Sequence, residues 1–347
     1  MSKIVRNIKG KVQEIFYVAG LILNRKRRQV CTNIGEVLNV SHDKVYRALK
    51  KGSENTVFFD ESIVKVIELI EQEKIGDIII DDTGISKFYG PLIEAISGFY
   101  NTAIKKYDYG FKLFVIVWTC GNHTIPIGFK YFLSKEISGK EHQTKASIVK
   151  ELIDGITPDI KYNYLLGDGH FSTIEIMKFL IERNIPFIFK IAKNKKVLTA
   201  DGINKQIQKH PNFKMQRNQK SKVITIEYYG MVLHVSIHKF KNPKTLEWSY
   251  VYIVSNVLMV AKTYLQIYKK RWKIEVFFRA IKQDLGLGHC QSRYFKIQQA
   301  HTKAVFIAYI FLQYQKFLNH KNIYSVAKSQ QLVSSISAFN RNFGYYA

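Results

Sequence analysis

Acid, cysteine, proline and long apolar runs are all scarce in this chain, and each shortage excludes something. Its 347 residues include 27 Asp and Glu against 53 Lys and Arg, a net charge of +26. A globular protein sustains that self-repulsion more easily when a polyanion neutralises it, so nucleic acid is the first partner to consider. The three cysteines, Cys31, Cys120 and Cys290, stand far apart with neither paired nor metal-ligand spacing. That argues against a disulfide framework or a zinc site and suits a reducing cytoplasm. The apolar run "IFYVAGLIL" at 15–23 is too short to span a bilayer, lacks a small-residue cleavage site and runs straight into "NRKRRQ". Neither signal peptide nor membrane anchor is expected. There is no internal repeat, no low-complexity tract and no Pro- or Gly-rich linker.

What is present is core-forming. Apolar residues make up 46 % and aromatics 14 %, which excludes a disordered chain. Residues 1–51 carry 12 Lys or Arg against Glu14, Glu36 and Asp43. Within them, "TNIGEVLNVSHDKVYRALKKG" has the apolar pattern of two short helices packed at an angle. Asn39 stands where a left-handed turn residue is wanted, and Ser41 where the second helix needs a cap. The exposed face of that helix is His42, Lys44, Tyr46, Arg47 and Lys50, a helix-turn-helix reading in which Lys44 and Arg47 touch DNA. The best boundary lies in "KKGSENT", closing an N-terminal DNA-binding region over 1–55.

From residue 76 the pattern becomes mixed α/β. "GDIIIDDTG", "FKLFVIVWTC" and "TIPIGFKYFL" read as strands, the last two antiparallel. "TKASIVKELIDGI" reads as a helix, "YNYLLGDGH" as a strand, "STIEIMKFLIERN" as a helix capped by Ser172, and "IPFIFKIA" as another strand. Residues 190–250 then hold 13 Lys or Arg against Asp201, Glu227 and Glu247 in strand-like runs. This basic, β-rich insertion, taken as 192–250, interrupts a core of 76–191 and 251–320. A tail occupies 321–347. Two apolar helical segments follow the insertion, "YKKRWKIEVFFRAIK" at 268–282 and "IQQAHTKAVFIAYIFLQYQKFL".

The segment 268–282 poses a question of its own. Tyr268, Glu275 and Lys282 recur by sevens, which drift only ~20° per step on a helix, with Arg271 one turn before Glu275. All four share one narrow face, while Ile267, Trp272, Ile274, Phe277, Phe278 and Ile281 cover most of the rest. A buried helix with one polar stripe holds an ion pair or lines a site. The acids point the same way. In open α/β sheets functional groups gather at the carboxyl ends of strands. Asp81 and Asp82 end the first strand and Asp168 the fourth, so aspartates from neighbouring strands would stand side by side, with Glu275 arriving from a helix across the sheet. Three carboxylates converging in a basic protein suit hard divalent cations, and a pair of such ions serves phosphodiester chemistry. Taken singly, each acid is explained by turn chemistry or by an Arg271–Glu275 ion pair. Together they favour a site.

Tyr268, Arg271, Glu275 and Lys282 fit Y-(2)-R-(3)-E-(6)-K, and here the chain resembles a large group of bacterial insertion-sequence transposases with a DDE active site. "DDTG" resembles that group's first catalytic motif and selects Asp82 over Asp81, and "DGHF" resembles the second, selecting Asp168. A β-rich insertion before the glutamate, on an RNase H-like fold, is also a feature of the group. The resemblance implies that Asp82, Asp168 and Glu275 hold two Mg²⁺ ions, replaceable by Mn²⁺. It implies that Tyr268, Arg271 and Lys282 bind phosphates near the cut. The expected partner is double-stranded DNA, the element's own terminal repeats and a target, engaged by a homodimer near the nucleoid with no membrane involved. The alternative is a DNA-binding protein derived from such an enzyme and lacking its chemistry. A glycosidase built on two carboxylates explains neither the charge nor the third acid.

Overall fold

The computed structural model describes residues 16–319 apart from 26, 53–56, 72–74, 89, 102–103 and 242–245. The tail at 321–347, the first fifteen residues and the whole of "SENT" at 53–56 lie outside the described residues.

A helix through 16–23 (α1) precedes α2 (Cys31–Leu38), α3 (His42–Gly52) and α4 (Val57–Glu71). Asn39 sits in the left-handed region with φ 54° and ψ 49°, and the Ser41 hydroxyl accepts from the Lys44 amide at 3.4 Å. Both local features follow the sequence: a short polar side chain tolerates positive φ, and a serine oxygen satisfies an orphan N–H at a helix start. Ala48 and Leu49 are buried and His42, Lys44, Arg47 and Lys50 exposed. Tyr17, Val18, Leu21 and Ile22 of α1 join the same apolar core as the sheet.

The core elements are β1 (Gly76–Ser86), β2 (Ser97–Asn101), β3 (Lys106–Cys120), β4 (His123–Phe132), α5 (Lys135–Ser138), α6 (Lys145–Asp154), β5 (Tyr162–Gly167), α7 (Ile174–Glu182) and β6 (Phe187–Lys190). Residues 192–250 contain β7 (Lys196–Leu198), β8 (Asn204–Gln206), β9 (Ser221–Tyr228) and β10 (Met231–Lys241), and β11 (Trp248–Ser255) runs across the expected boundary at 250. Then come α8 (Ala261–Lys269), α9 (Trp272–Gln283) and α10 (Phe295–Asn319). The strands form one mixed sheet in the order β2-β3-β1-β5-β6-β11-β10-β9-β7-β8, with β4 also on β3. β1, β5 and β6 run parallel and the other pairs antiparallel. A large mixed sheet flanked by helices is consistent with the expected RNase H-like core. The insertion extends that sheet through β11, which pairs with β6 on one side and β10 on the other.

Four local expectations need correction. The helix after β5 is capped by Thr173, whose hydroxyl accepts from the Ile176 amide, while Ser172 turns back to the Gly169 carbonyl. The strand β2 is too short and too weakly alternating to read from sequence. The segment 268–282 is two helices, because α8 ends at Lys269 and α9 starts at Trp272. Trp272 is 58 % exposed, so α9 is less enclosed than its composition implies.

Strand parity assigns the two faces of the sheet. Ile80, Asp82, Phe114 and Ile116 share one face, where Ile116 meets Leu152 of α6 around Gly128 and Phe114 meets Phe171. Asp77, Asp81, Leu113 and Val115 share the other, over which α9 and α10 lie. Phe306 of α10 packs on both Phe129 and Phe277 there. His301, fully buried in α10, has Nδ1 on the Tyr17 hydroxyl and donates from Nε2 to the Gly286 carbonyl. One imidazole therefore ties α1, α10 and the turn after α9 together.

Candidate active site

β1 and β5 are parallel neighbours with Ile79 opposite Leu166. Two residues on, the same register sets Asp81 beside Asp168 just past the end of β5; Asp81 itself lies mid-strand, because β1 does not end at the aspartates as expected but runs on to Ser86 in its pairing with β3. Burial raises the Asp81 carboxyl to about 7, the nearby Asp168 charge adds to the rise, and Glu275 contributes in the same sense. Desolvation and like charge both disfavour the ionised form. The Asp82 amide, donating to Asp81 Oδ1 at 2.9 Å, and Arg271 oppose them. Asp168 is braced by its own turn: Oδ1 accepts from the His170 amide at 2.8 Å.

Arg271 occupies the junction between α8 and α9, one turn before Glu275. Its Nη1 lies 2.9 Å from Asp81 Oδ2 and 3.3 Å from Glu275 Oε1, with Nη2 3.4 Å from the same glutamate oxygen. Lys270, next to it, donates to Asp77 Oδ2 at 2.6 Å. Two ion pairs four residues apart on one face of β1 thus pin the α8–α9 turn to the strand, and that turn sets where Glu275 lands. Sequence reasoning passed over Asp77 and Lys270. Their signal was the spacing: Asp77 and Asp81 share strand parity, and Lys270 and Arg271 are consecutive.

Each residue expected at the site has a definite place. Asp168, Glu275 and Arg271 gather with Asp81. Asp82 does not join them. It faces the opposite side of the sheet, where Lys112 Nζ pairs with its Oδ2 at 2.8 Å. The selection of Asp82 from the motif therefore conflicts with the strand register, because adjacent residues on a strand project to opposite faces. Tyr268 lies half-buried beside this cluster, its hydroxyl pushed up to about 12 by burial, with Arg271 opposing and Asp168 adding to the shift. It is a neutral phenol at physiological pH. Lys282 is half-buried at the far end of α9, where burial lowers its pKa and Glu275 opposes the shift. Lys44 and Arg47 are exposed on α3, outside the cluster.

Among the described residues, no three His, Cys, Asp or Glu side chains stand close enough to hold a metal ion. The hydrogen-bonding pattern shows one reason: the Arg271 guanidinium takes one oxygen each of Asp81 and Glu275. Also among the described residues, no helix is long and apolar enough to cross a membrane.

An aspartate pair across parallel strands, a glutamate from an overlying helix and a surplus of cations make an acidic centre in a basic protein. No curated protein matches the sequence. A family model described as "Transposase DDE domain" matches residues 72–311, a span that takes in all three acids and the insertion between the second and third. With well over half its length inside that match, the chain belongs to the transposases that carry a DDE domain.

Proposed function

We propose that the chain binds the terminal repeats of its own insertion element and catalyses divalent-metal-dependent cleavage and strand transfer, with Asp81, Asp168 and Glu275 as its acids. The observation that carries the reading is the meeting of Asp81 and Asp168 on neighbouring parallel strands, with Glu275 drawn to Asp81 through Arg271. Asp81 replaces Asp82 as the first acid because it alone of the two faces Asp168 and α9.

The donor set fits a hard cation. All the candidate ligands are carboxylate oxygens, and the charge conflict that raises Asp81 is the kind a bound cation relieves. Asp81, Asp168 and Glu275 would hold Mg²⁺, or Mn²⁺ in its place, as a pair of ions. When bound, such ions activate the attacking hydroxyl and stabilise the leaving oxygen at a phosphodiester. The chain's own residues do the rest. Arg271 holds Asp81 and Glu275 in place as the ion-free form, and on releasing them presents its fork of donors to a DNA phosphate. The neutral Tyr268 hydroxyl offers a hydrogen bond at the same edge, and Lys282 supplies a point charge farther along α9. Lys44 and Arg47 on α3, together with the basic insertion, would hold the DNA away from the cut, and a homodimer would bring two ends together.

Glu275→Gln tests the reading. It is near-isosteric but removes the charge that holds a hard cation. The expected result is lost Mg²⁺-dependent cleavage of linear DNA bearing the element's ends, with retained DNA affinity and melting temperature. Metal-dependent cleavage at the wild-type rate would refute it.

A further inference from the structure

Beyond Asp81, β1 keeps its pairing with β3 as far as Ser86, and β3 also forms a hairpin with β2, the edge of the sheet. Tyr100 lies directly opposite Tyr107 and Gly98 directly opposite Tyr109, so these four residues share one face of the hairpin. The three tyrosines, in chain order, are 52 %, 82 % and 59 % exposed. The Tyr100 and Tyr107 rings meet edge to face with centroids 5.7 Å apart. The opposite face is closed. Phe99 lies against Gly84 there, and the Asp108 carboxylate accepts from the Ser86 hydroxyl at 3.1 Å and the Asn101 amide at 3.0 Å.

Gly98 is the odd member of this patch. It has neither a positive φ nor any described atom within 4 Å of where a Cβ would stand, so neither backbone conformation nor packing calls for glycine. Glycine weakens a strand interior, and one use of it there is to let another molecule come close to the backbone. Here it leaves a notch floored by Gly98 and walled by Tyr100, Tyr107 and Tyr109. Residues two apart on a strand are separated by ~6.8 Å, twice the ~3.4 Å step between stacked bases, so the spacing of Tyr107 and Tyr109 leaves room for one flat ring. The charge suits the same ligand. Lys105 and Lys106 are exposed at the end of the hairpin, and its one acid, Asp108, is 4 % exposed on the other face. A second copy of the chain would set these lysines against their own kind, whereas a phosphate backbone neutralises them.

We infer that this notch is a docking site for an unpaired DNA strand, with one base entering over Gly98 against the tyrosine rings and the flanking phosphates meeting Lys105 and Lys106. Aromatic side chains beside cations are a general means of holding single-stranded DNA. The notch lies on the face that carries Asp81, since Tyr109 and Val115 share strand parity and Val115 pairs with Asp81. Six residues separate Tyr109 from Val115, roughly 20 Å at the usual rise, so a strand leaving the acids reaches the notch after about six nucleotides. This role presupposes the DNA-cutting centre proposed above and gives one strand a place beyond the cut.

The test is fluorescence anisotropy of a fluorescein-labelled twelve-nucleotide oligothymidylate with the full chain. It is run without divalent metal and at raised salt, which suppresses phosphate contacts more than stacking. A labelled duplex of mixed sequence is the comparison. Tyr107→Ser, at the most exposed ring, should weaken oligothymidylate binding about tenfold at unchanged melting temperature, and Tyr107→Phe, which keeps the ring, should bind like wild type. Gly98→Val fills the notch with a side chain that suits a strand, so it should weaken binding about tenfold while the melting temperature holds or rises. Duplex affinity should be unchanged in all three variants. Glu275→Gln should bind the oligothymidylate like wild type, so a failure of the acids to cut and a failure of the notch to bind are read separately. Unchanged oligothymidylate affinity in Tyr107→Ser or Gly98→Val overturns the inference, as does an equal loss for the duplex. A wild-type dimer that sedimentation shows Gly98→Val to dissociate would assign the face to a second copy and overturn it too.

Discussion

Arg271 serves two masters among the residues at the acids. In the metal-free arrangement it satisfies Asp81 and Glu275 with two donors of one planar fork. In the proposed reaction the same fork meets a phosphate. Arg271→Lys distinguishes these roles, since Lys retains the charge and loses the bidentate geometry. Folding should remain close to wild type, while cleavage falls about 10- to 100-fold, or roughly 1.4–2.7 kcal/mol of transition-state stabilisation. Stopped-time cleavage assays alongside thermal melts check this. A fully active Arg271→Lys with an unstable Arg271→Ala would reduce Arg271 to an ion-pair partner. The acids and the Y-R-E-K spacing are legible in the linear sequence because each aspartate interrupts or follows an apolar strand run and the other four recur at helical spacing, although β1 runs on past its aspartates to Ser86. The choice between Asp81 and Asp82 is not. β1 is buried on both faces along "DIII", so it shows no alternation of apolar and polar residues from which to read parity. Only the pairing with β5 and the overlying Arg271 reveal it.

At the scale of elements, the decisive feature is the turn between α8 and α9. A seven-residue polar spacing made one helix of 268–282, yet Lys270 and Arg271 lie between two helices while keeping helical dihedrals of φ −62° and −52°. The stripe survives the break because both junction residues stay in the right-handed helical region. Two ion pairs hold the turn down. Asp77 is 2 % exposed and leaves its Oδ1 without a hydrogen-bond partner among the described residues, so Lys270 is the cation that makes its burial tolerable. Lys270→Met should therefore cost about 3 kcal/mol, the usual scale for stranding one member of a buried pair, less whatever water reaches through the half-exposed lysine. Chemical denaturation of Lys270→Met and of Asp77→Asn/Lys270→Met measures it. A double variant no more stable than the single would show that the stranded charge is not the cause. Sequence located every strand from β3 to β6 but misassigned the cap of α7 and missed β2. Adjacent Ser172 and Thr173 are equivalent cap residues until the turn after Asp168 is built, and β2 exists only because β3 is long enough to pair with it.

For the whole molecule, much of the net charge of +26 falls in two stretches, residues 1–51 and residues 190–250. Both join one scaffold: the insertion is continuous with the core strands, and α3 packs its Ala48–Leu49 side inward while Lys44 and Arg47 stay in water. Exposed cations of this kind contact phosphates and release counterions. Lys44→Ala and Arg47→Ala should each weaken binding to the terminal repeat and reduce the salt slope of log affinity by about one unit. Unchanged affinity and slope in both variants would remove α3 from DNA recognition. The +9 of residues 1–51 and the +10 of residues 190–250 were readable from composition, whereas the joining of the second stretch to the core sheet required the register of β11.

The central claim is that the acids facing one another across β1, β5 and α9 are the ones that cut DNA, and the adjacent aspartates test it most directly. Linear DNA carrying the sequences that flank the reading frame is incubated with Mg²⁺ and either Asp81→Asn or Asp82→Asn, after DNA binding and melting temperature are matched to wild type. Asp81 faces Asp168 and Glu275, and Asp82 pairs with Lys112 on the other side of the sheet. The account predicts no cleavage by Asp81→Asn and substantial cleavage by Asp82→Asn. An active Asp81→Asn beside an inactive Asp82→Asn would contradict it.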